Sequence, residues 1–266
     1  MAATSEELFA RDAHHYFQMD LTPPERVFLD RIGTRWGSID MLDLGVGAGR
    51  TAYTFGAICR CYVGIDYVPR MIELSRSRVG ESARCRFEIG DARDLSRFGD
   101  GEFDVVLFSF NGMDNISHDD RMRVLREVRR VLRAGGTFFF SSHSLNVFPF
   151  RLIWPEVSWR RPFKALRWHG GAARRWLRLR IGNRLVDAAS VHARGWSLLV
   201  SDAHGYEMQI YHVTPAEQLR QLRDTGFVCD AILDLRGLPL ADAGASRDDW
   251  LHYLCHADAI GHPTTQ

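Results

Sequence analysis

The chain has 266 residues, of which 45% are hydrophobic, and its formal net charge is +1 at pH 7. This length suits one large α/β domain or a core domain with a cap. The small net charge gives no global field that would attract nucleic acid or a membrane surface, and no apolar run is long enough to cross a bilayer. The polar start of the chain is unlike a secretory signal, and the five scattered cysteines are typical of free buried thiols. A cytoplasmic protein is predicted.

Two helices are predicted before the first strand. The first covers residues 4–18. The second begins after Thr22, where two prolines and then Glu25 form a strong helix-start pattern, and it runs to about Ile32. We expect this N-terminal part, residues 1–35, to form a helical cap over a ligand site.

From residue 41 onward, strand patterns alternate with helix patterns. Strands are predicted at 41–45, 61–66, 85–89, 103–109 and 136–142, and helices at 50–58, 69–79 and 119–133. The fourth and fifth of these strands, DVVLFSF and GTFFFSS, are apolar on both faces, as buried parallel strands are. In the third helix Met122, Leu125 and Val128 share one face, and the arginines between them are predicted to face solvent. After an irregular stretch, a helix from Thr214 and strands at 227–235 and 250–256 complete the pattern.

The stretch from Met41 to Arg50, MLDLGVGAGR, joins the first strand to the following helix through a glycine-rich turn. Glycines at alternate positions let the chain turn sharply with positive φ and leave room for a ligand against the main chain. The helix that follows points its free N–H groups at the same space. The turn therefore predicts a nucleotide-like ligand, although it has neither the G-x-G-x-x-G spacing of a dinucleotide fold nor the lysine of a phosphate loop.

Polar residues follow the next strands at the same edge of the predicted sheet. Asp66 closes the second strand, where an acidic side chain can accept hydrogen bonds from both hydroxyls of a ribose. Gly90 and Asp91 follow the third strand. The carboxyl ends of parallel strands meet at one edge, so these residues are expected to surround one ligand.

Taken together, these motifs resemble those of the class I S-adenosylmethionine (SAM)-dependent methyltransferases. The resemblance rests on the D-x-G-x-G-x-G turn that starts at Asp43, on the DYVPRM run at Asp66 and on the Gly90-Asp91-Ala92 triplet, and it covers residues 40–145. It is closest to bacterial small-molecule enzymes of the methyltransferase-domain type. It implies a Rossmann-like, seven-stranded, mostly parallel α/β sheet whose last strand is antiparallel, with helices on both faces.

The resemblance also implies SAM as cofactor and S-adenosylhomocysteine as product. By this resemblance, Asp91 would accept a hydrogen bond from the adenine amino group, and the next main-chain N–H would face a ring nitrogen of adenine. The residues after the fourth strand would lie near the sulfonium end of SAM. Met71 would line the adenine pocket, with a core methionine as the alternative. The cofactor-binding residues predicted in this way are Asp43, Gly45, Gly47, Gly49, Asp66, Tyr67, Met71, Asp91, Ala92, Ser109, Phe110 and Asn111.

Methyl transfer is an in-line displacement, and it needs a base when the nucleophile is a hydroxyl or a protonated amine. The catalytic candidates are His143, which follows the fifth strand, together with His118 and Asn111. A structural hydrogen bond is the alternative for His143, and a helix cap is the alternative for His118. No metal site is predicted, because helix starts explain the clustered aspartates Asp114, Asp119 and Asp120 more simply than a hard cation does.

The alternation is interrupted by an insertion rich in arginine and tryptophan. We interpret residues 146–213 as a lid over the acceptor, with residues 36–145 as the SAM-binding core and 214–266 completing the sheet. Cation-rich aromatic segments also suit RNA, a membrane surface or an anionic acceptor. A solvated helical cap whose tryptophans pack on the core is the plainer alternative. A small-molecule acceptor is predicted, its anionic character and peripheral membrane contact stay open, nucleic acid is disfavoured, and the oligomeric state is not predicted.

The sequence as a whole predicts methyl transfer from SAM to oxygen or nitrogen of a small-molecule acceptor. An RNA or protein methyltransferase is the alternative enzyme, but the loop after the fourth strand lacks an N-P-P-Y signature. A non-catalytic SAM-binding regulatory protein is a further alternative. A nicotinamide dehydrogenase is disfavoured by the glycine spacing.

Overall fold

The structure of the chain, a computed structural model, describes residues 20–146, 174, 176–201 and 208–258. The helix predicted at 4–18 lies outside the described residues, as do residues 147–173, 175 and 202–207 of the insertion. The nine strands of the described part are β1 (Asp40–Leu44), β2 (Cys61–Asp66), β3 (Cys85–Ile89), β4 (Phe103–Phe108), β5 (Leu132–Ser144), β6 (Trp196–Val200), β7 (Gln209–Val213), β8 (Phe227–Leu233) and β9 (Trp250–Ala257). The helices are α1 (Pro23–Ile32), α2 (Ala52–Ile58), α3 (Pro69–Val79), α4 (His118–Val131), α5 (Ala188–Arg194) and α6 (Pro215–Asp224).

A central sheet carries the predicted topology. Strands β1 to β5 are parallel to one another in the order β3-β2-β1-β4-β5. Strand β9 then pairs antiparallel with β5, and β8 pairs antiparallel with β9. The predicted Rossmann-like, mostly parallel α/β fold with an antiparallel last strand is therefore confirmed.

Two further strands extend the predicted seven. Strand β7 pairs with the end of β5, with His143 opposite His212, and β6 runs antiparallel to β7. His143 also pairs with Trp250 of β9. A strand has only two edges, so β7 must continue the edge that β4 leaves after Phe140. The β6–β7 ribbon, which comes from the predicted insertion, thus stands at the carboxyl end of β4.

Side chains of successive strand residues point to opposite faces of the sheet, and each face is apolar. On one face, Phe138 and Phe140 pack with residues of α4 and α6. On the other face, Phe139 stacks on Phe28 of α1 with ring centroids 4.7 Å apart, and α2 and α3 pack alongside. The doubly covered sheet explains the apolar runs of its central strands β4 and β5.

Helix α4 buries one arginine together with its apolar face. Leu125 and Val128 are buried as expected, Met122 is half-buried, and Val124 is buried with them. Arg121 precedes Val124, Leu125 and Val128 by three, four and seven residues, so it lies on the same face, and its side chain is 0% exposed. Arg121 stands before the residues whose intervening arginines were predicted to face solvent, and two of those arginines, Arg123 and Arg126, are exposed.

Two predictions that concern the whole chain can be compared with the described part. All five cysteines are free in the structure. Within the described ranges, no helix combines the length and the apolar character that a bilayer span requires.

Candidate active site

A cavity of about 320 Å³ opens at the carboxyl ends of β1, β2 and β4. Its volume falls in the range that small-ligand sites occupy. Ten of the twelve predicted cofactor residues line it, and Gly49 and Asn111 do not. The parallel topology explains this convergence, because it places the ends of separate strands at one edge.

The glycine loop between β1 and α2 forms one wall of the cavity. Gly45, Gly47 and Gly49 have φ values of 63°, 57° and 85°. A Cβ at Gly45 would lie 2.9 Å from the ring of Phe108, whereas a Cβ at Gly47 would meet no atom closer than 3.9 Å. The loop therefore packs closely against β4 at Gly45, and at Gly47 its main chain faces the cavity without a side chain.

Gly49 has a different role from the other two glycines. A Cβ there would lie 3.0 Å from Cγ2 of Val79 and 3.3 Å from Cα of Ser75. The Ser75 hydroxyl also donates a hydrogen bond to the carbonyl oxygen of Gly47 at 2.7 Å. Gly49 therefore allows the loop to pack against α3, which holds the loop in place from behind.

Asp66 stands beside the loop at the tip of β2. Its carboxylate accepts hydrogen bonds from the main-chain N–H groups of Gly47 and Val68, both at 2.9 Å. Burial raises the pKa of Asp66, and these two hydrogen bonds oppose that rise. The side chain is 7% exposed and lines the cavity, so its remaining acceptor sites are available to a ligand.

Asp91 and Ala92 line the cavity after β3, together with Met71 and Tyr67. The Asp91 carboxylate accepts hydrogen bonds from the main-chain N–H and the guanidinium of Arg93. Burial would raise the pKa of Asp91, but the contacts with Arg93 hold it below its usual value. Asp91 is thus fixed as a carboxylate, which is an acceptor for a ligand amino group.

Asp43 lies beneath the glycine loop and is almost fully buried. It accepts hydrogen bonds from the hydroxyls of Thr51 and Tyr62, each at 2.5 Å. Burial raises the pKa of this carboxyl to about 7, although both hydrogen bonds oppose the change. These bonds tie β1 to the start of α2 and to β2.

The N-terminal helix α1 reaches the cavity through a buried ion pair. Glu25 is 0% exposed, and each of its oxygens lies 2.6 Å from a guanidinium nitrogen of Arg50, which lines the cavity. The hydroxyl of Ser109 also donates to Glu25. Burial would raise the pKa of Glu25, but Arg50, Ser109 and the N–H of Thr22 hold it below its usual value. The helix is thereby joined to the residue after the glycine loop and to the end of β4.

The loop after β4 has a strained backbone. Phe110 and Asn111 are the two non-glycine residues with positive φ in the described part of the chain, at 56° and 57°. Such residues cluster at functional sites because the surrounding structure must hold them. The N–H of Asn111 donates to the Ser141 hydroxyl at 2.8 Å, and the Oδ1 of its buried side chain has no partner among the described residues. Phe110 lines the cavity, is 41% exposed and lies under the Arg50 guanidinium.

His143 lies at the end of β5, outside the cavity lining. Its ring donates from Nδ1 to the buried carboxylate of Asp114 at 2.8 Å. It is linked to the cavity by Trp250, whose ring lies 5.9 Å from His143 and 5.2 Å from Phe110 between centroids. Asp114 does not group with Asp119 and Asp120 but forms an ion pair with Arg121 at 2.5 Å.

His118 also lies outside the cavity lining. Its ring stacks on Trp196 of β6 with centroids 4.2 Å apart, and its Nδ1 lies 2.7 Å from the hydroxyl of Tyr211. Burial lowers the pKa of His118. These contacts connect α4 to the β6–β7 ribbon. The N-cap of α4 is Ser117, whose hydroxyl accepts the N–H of Asp120.

Sequence reasoning did not identify three residues at or near this site: Arg50 as a cavity wall, Glu25 as its partner and Trp250 as the bridge to His143. The pattern at Glu25 is that of a helix start, and its side chain does accept the N–H of Thr22 as such residues do. The position of Arg50, directly after the last glycine of the turn, could have indicated that it lines the cavity. Trp250 had no local signal, because only the pairing of β9 with β5 brings it to the site.

Comparison with known proteins agrees with this geometry. The profile of the methyltransferase domain family matches residues 41–136. A ubiquinone/menaquinone biosynthesis C-methyltransferase, UbiE, from Geobacter sp. (strain M21) is 35% identical over 132 residues, which cover 46% of this chain and 54% of that protein. The match therefore spans about half the length of that relative.

Solved structures share the fold at low identity. The CcbJ methyltransferase from Streptomyces caelestis is 15% identical, with a TM-score of 0.62 over 96% of this chain and 100% of that one. The 1,6-didemethyltoxoflavin-N1-methyltransferase from Burkholderia thailandensis, solved with 1,6-didemethyltoxoflavin and S-adenosylhomocysteine bound, is 17% identical, with a TM-score of 0.58 over 95% of this chain and 87% of that one. Residues 41–136 thus match the methyltransferase domain family, and the whole described chain, with its strand order and its glycine loop, has the fold of solved methyltransferases.

Proposed function

We propose that this chain is an enzyme that transfers a methyl group from SAM to a small-molecule acceptor. The observation that carries the proposal is the position of Asp66, whose carboxylate lines the cavity beside the bare main chain of the glycine loop. A carboxylate at this point suits the paired hydroxyls of a ribose. The family match is independent support.

The cavity residues fit the rest of an adenosine. Asp91 is a fixed carboxylate and accepts a hydrogen bond from an adenine amino group, while the main-chain N–H of Ala92 faces a ring nitrogen. Met71 supplies an apolar wall for the ring. Gly47 leaves open space where a side chain would block the ligand. When bound, SAM would supply a methyl group activated by its positive sulfur.

The residues after β4 and the end of β5 are proposed to receive the acceptor. Phe110 forms the cavity wall at this side, and Trp250 and His143 continue it away from the cavity. The β6–β7 ribbon stands next to them through the pairing of His212 with His143. We infer that this ribbon forms part of the acceptor wall, which agrees with a lid role for residues 146–213. The names of relatives refer to small acceptors, such as a quinone or a toxoflavin precursor.

Titration calorimetry with S-adenosylhomocysteine and, separately, with NAD tests the cofactor assignment. We expect S-adenosylhomocysteine to bind and to stabilise the protein, by about 2.7 kcal/mol at a hundred times its Kd, while NAD leaves it unchanged. Stabilisation by NAD alone would contradict the proposal. Incubation of cell extract with methyl-labelled SAM, followed by mass spectrometry, then identifies the acceptor. In that second step, labelled RNA or protein in place of a small molecule would contradict the acceptor class.

A further inference from the structure

We propose that Asp114, held by the buried Arg121, orients His143 so that the Nε2 atom of its ring takes the proton from a hydroxyl group of the acceptor. This inference rests on the methyltransferase function proposed above. It assigns a positioning role to a residue that sequence reasoning explained as a helix-start aspartate, and it narrows the acceptor to hydroxyl compounds.

The first step is the contact between Asp114 and His143. One carboxylate oxygen, Oδ2, accepts hydrogen bonds both from the main-chain N–H of His143 at 2.6 Å and from Nδ1 of its ring at 2.8 Å. A carboxylate oxygen only accepts hydrogen bonds, so the proton of the neutral ring must sit on Nδ1. The other ring nitrogen, Nε2, then carries a lone pair that can take a proton.

The second step concerns the state of Asp114. Its side chain is 0% exposed, and burial alone would raise its pKa, but the charge of Arg121 and the hydrogen bonds from His143 hold the pKa below its usual value. Its second oxygen, Oδ1, accepts from Arg121 at 2.5 Å and from the Ser142 hydroxyl at 2.8 Å. The carboxylate is therefore charged. Its Oδ1 accepts two hydrogen bonds, from Arg121 and Ser142, and its Oδ2 accepts two from His143.

Arg121 is itself locked in place. It is fully buried, and its guanidinium donates to Ser142, Gln218 and Gln221 and lies over the ring of Tyr211. A buried ion pair is seldom favourable for stability alone, since removing both charges is often neutral. Its presence directly behind a histidine at a ligand edge is better explained by the orientation that it gives to that ring.

The exposed side of His143 completes the arrangement. The His143 side chain is 17% exposed while that of Asp114 has no exposure. Among the described residues, no hydrogen bond engages Nε2. The ring lies beside Trp250, which packs edge-on against Phe110 in the cavity wall. An acceptor that lies on these aromatic rings would bring its nucleophile between the methyl donor and Nε2.

The proposed step is balanced without a further reactant. The acceptor oxygen forms a bond to the methyl carbon while the carbon–sulfur bond breaks. The electron pair of the broken carbon–sulfur bond stays on sulfur. The hydroxyl proton moves to Nε2 of His143, where the Asp114 carboxylate stabilises the resulting imidazolium. The proton then leaves to solvent. A neutral amine would not need this base before attack, so the arrangement favours a hydroxyl compound.

Nuclear magnetic resonance of the full chain labelled with ¹⁵N-histidine tests the positioning role without a known acceptor. The His143 signals are assigned by their loss in His143→Asn. At pH 8, we expect Nδ1 to be protonated and Nε2 to be unprotonated in the wild-type protein. A proton on Nε2 of the neutral ring would overturn the inference, and this measurement needs no folded variant of Asp114.

Two variants test whether Asp114 is what sets the tautomer of His143. In the double variant Asp114→Asn with Arg121→Gln, both buried charges are removed, and the ratio of the two His143 tautomers should change by roughly tenfold or more. Ser142→Ala is the matched control, because it removes a hydrogen bond to the same carboxylate but not the one to His143. An unchanged tautomer ratio in the double variant would overturn the role of Asp114.

The same variants separate this inference from the proposed function. S-adenosylhomocysteine affinity should stay within about threefold of the wild type in His143→Asn and in the double variant, because none of the three substituted residues lines the cavity. If the wild-type protein did not bind S-adenosylhomocysteine, the proposed function itself would be contradicted. With the acceptor found by methyl labelling, His143→Asn should lower kcat by about 10²–10⁴-fold. A labelled acceptor without any hydroxyl group would overturn the substrate class.

Discussion

Asp66 accepts a hydrogen bond from the main-chain N–H of Gly47 at 2.9 Å. This contact holds the bare part of the glycine loop against the tip of β2. The loop main chain and the Asp66 carboxylate, both proposed to bind the cofactor, are therefore fixed relative to one another. The strand that supplies the acid thus also sets the shape of the loop.

The first prediction concerns this carboxylate. Asp66→Ala should weaken binding of S-adenosylhomocysteine by about 10- to 100-fold, since hydrogen bonds to a charged group contribute about 1.5–3 kcal/mol. Glu73→Gln, on the exposed side of α3, is the control and should leave affinity unchanged. Calorimetry measures both, and equal affinity in Asp66→Ala would remove this residue from the site.

A second prediction separates two glycines of the same loop. Gly47→Ala should destabilise the fold by only about 1–2 kcal/mol, the cost of a left-handed φ for alanine, yet weaken cofactor binding because its Cβ enters the cavity. Gly49→Ala should destabilise more, by about 2–4 kcal/mol, since its Cβ would also meet Val79 and Ser75. Urea unfolding and calorimetry give the two quantities. The reverse order of stability would show that the packing of Gly49 on α3 is unimportant.

The buried pair of Glu25 and Arg50 leads to the third prediction. Glu25→Gln should lower the free energy of unfolding by about 3–5 kcal/mol, because it leaves an uncompensated buried charge. The double variant with Arg50→Met should lose less than the sum of the single losses. The exposed pair Arg70 and Glu73, 2.8 Å apart, is the matched control, and Glu73→Gln should cost under about 1 kcal/mol. Additive single and double losses would contradict a coupled pair.

The fourth prediction is a dependence on pH that comes from Asp43. Burial raises its pKa in the folded protein to about 7, above the value of about 3.9 in an unfolded chain. The folded state therefore binds this proton more tightly, and the contribution of Asp43 to stability falls as the pH rises from about 4 to 7.

Asp43→Asn lacks this titration. Its free energy of unfolding relative to the wild type should therefore increase with pH in that window, by at most about 1.4 kcal/mol per pH unit. Urea unfolding of both proteins at pH 5 and at pH 7 measures the change. A difference that stays constant or decreases between the two pH values would show that Asp43 does not titrate there.

Much of the fold followed from local patterns. The predicted bounds of β2, β3 and α3 agree with the structure, and the other core elements agree within a few residues. Apolar strands bounded by glycine and polar residues carry this information in the sequence itself. The strands β6 and β7 were not predicted, because they lie in an insertion whose composition, not its periodicity, dominates the sequence.

The candidate site divides in the same way. The sequence by itself determined the proposed donor side, because the glycine turn, Asp66 and Asp91 each follow a strand directly and parallel strands end at one edge. Only the tertiary structure decided the proposed acceptor side. Asp114 and Trp250 contact His143 from a short 3₁₀ helix and an antiparallel strand, and Arg121 reaches Asp114 from a face of α4. Their roles depend on which residues the folded chain buries together, and no local pattern records that.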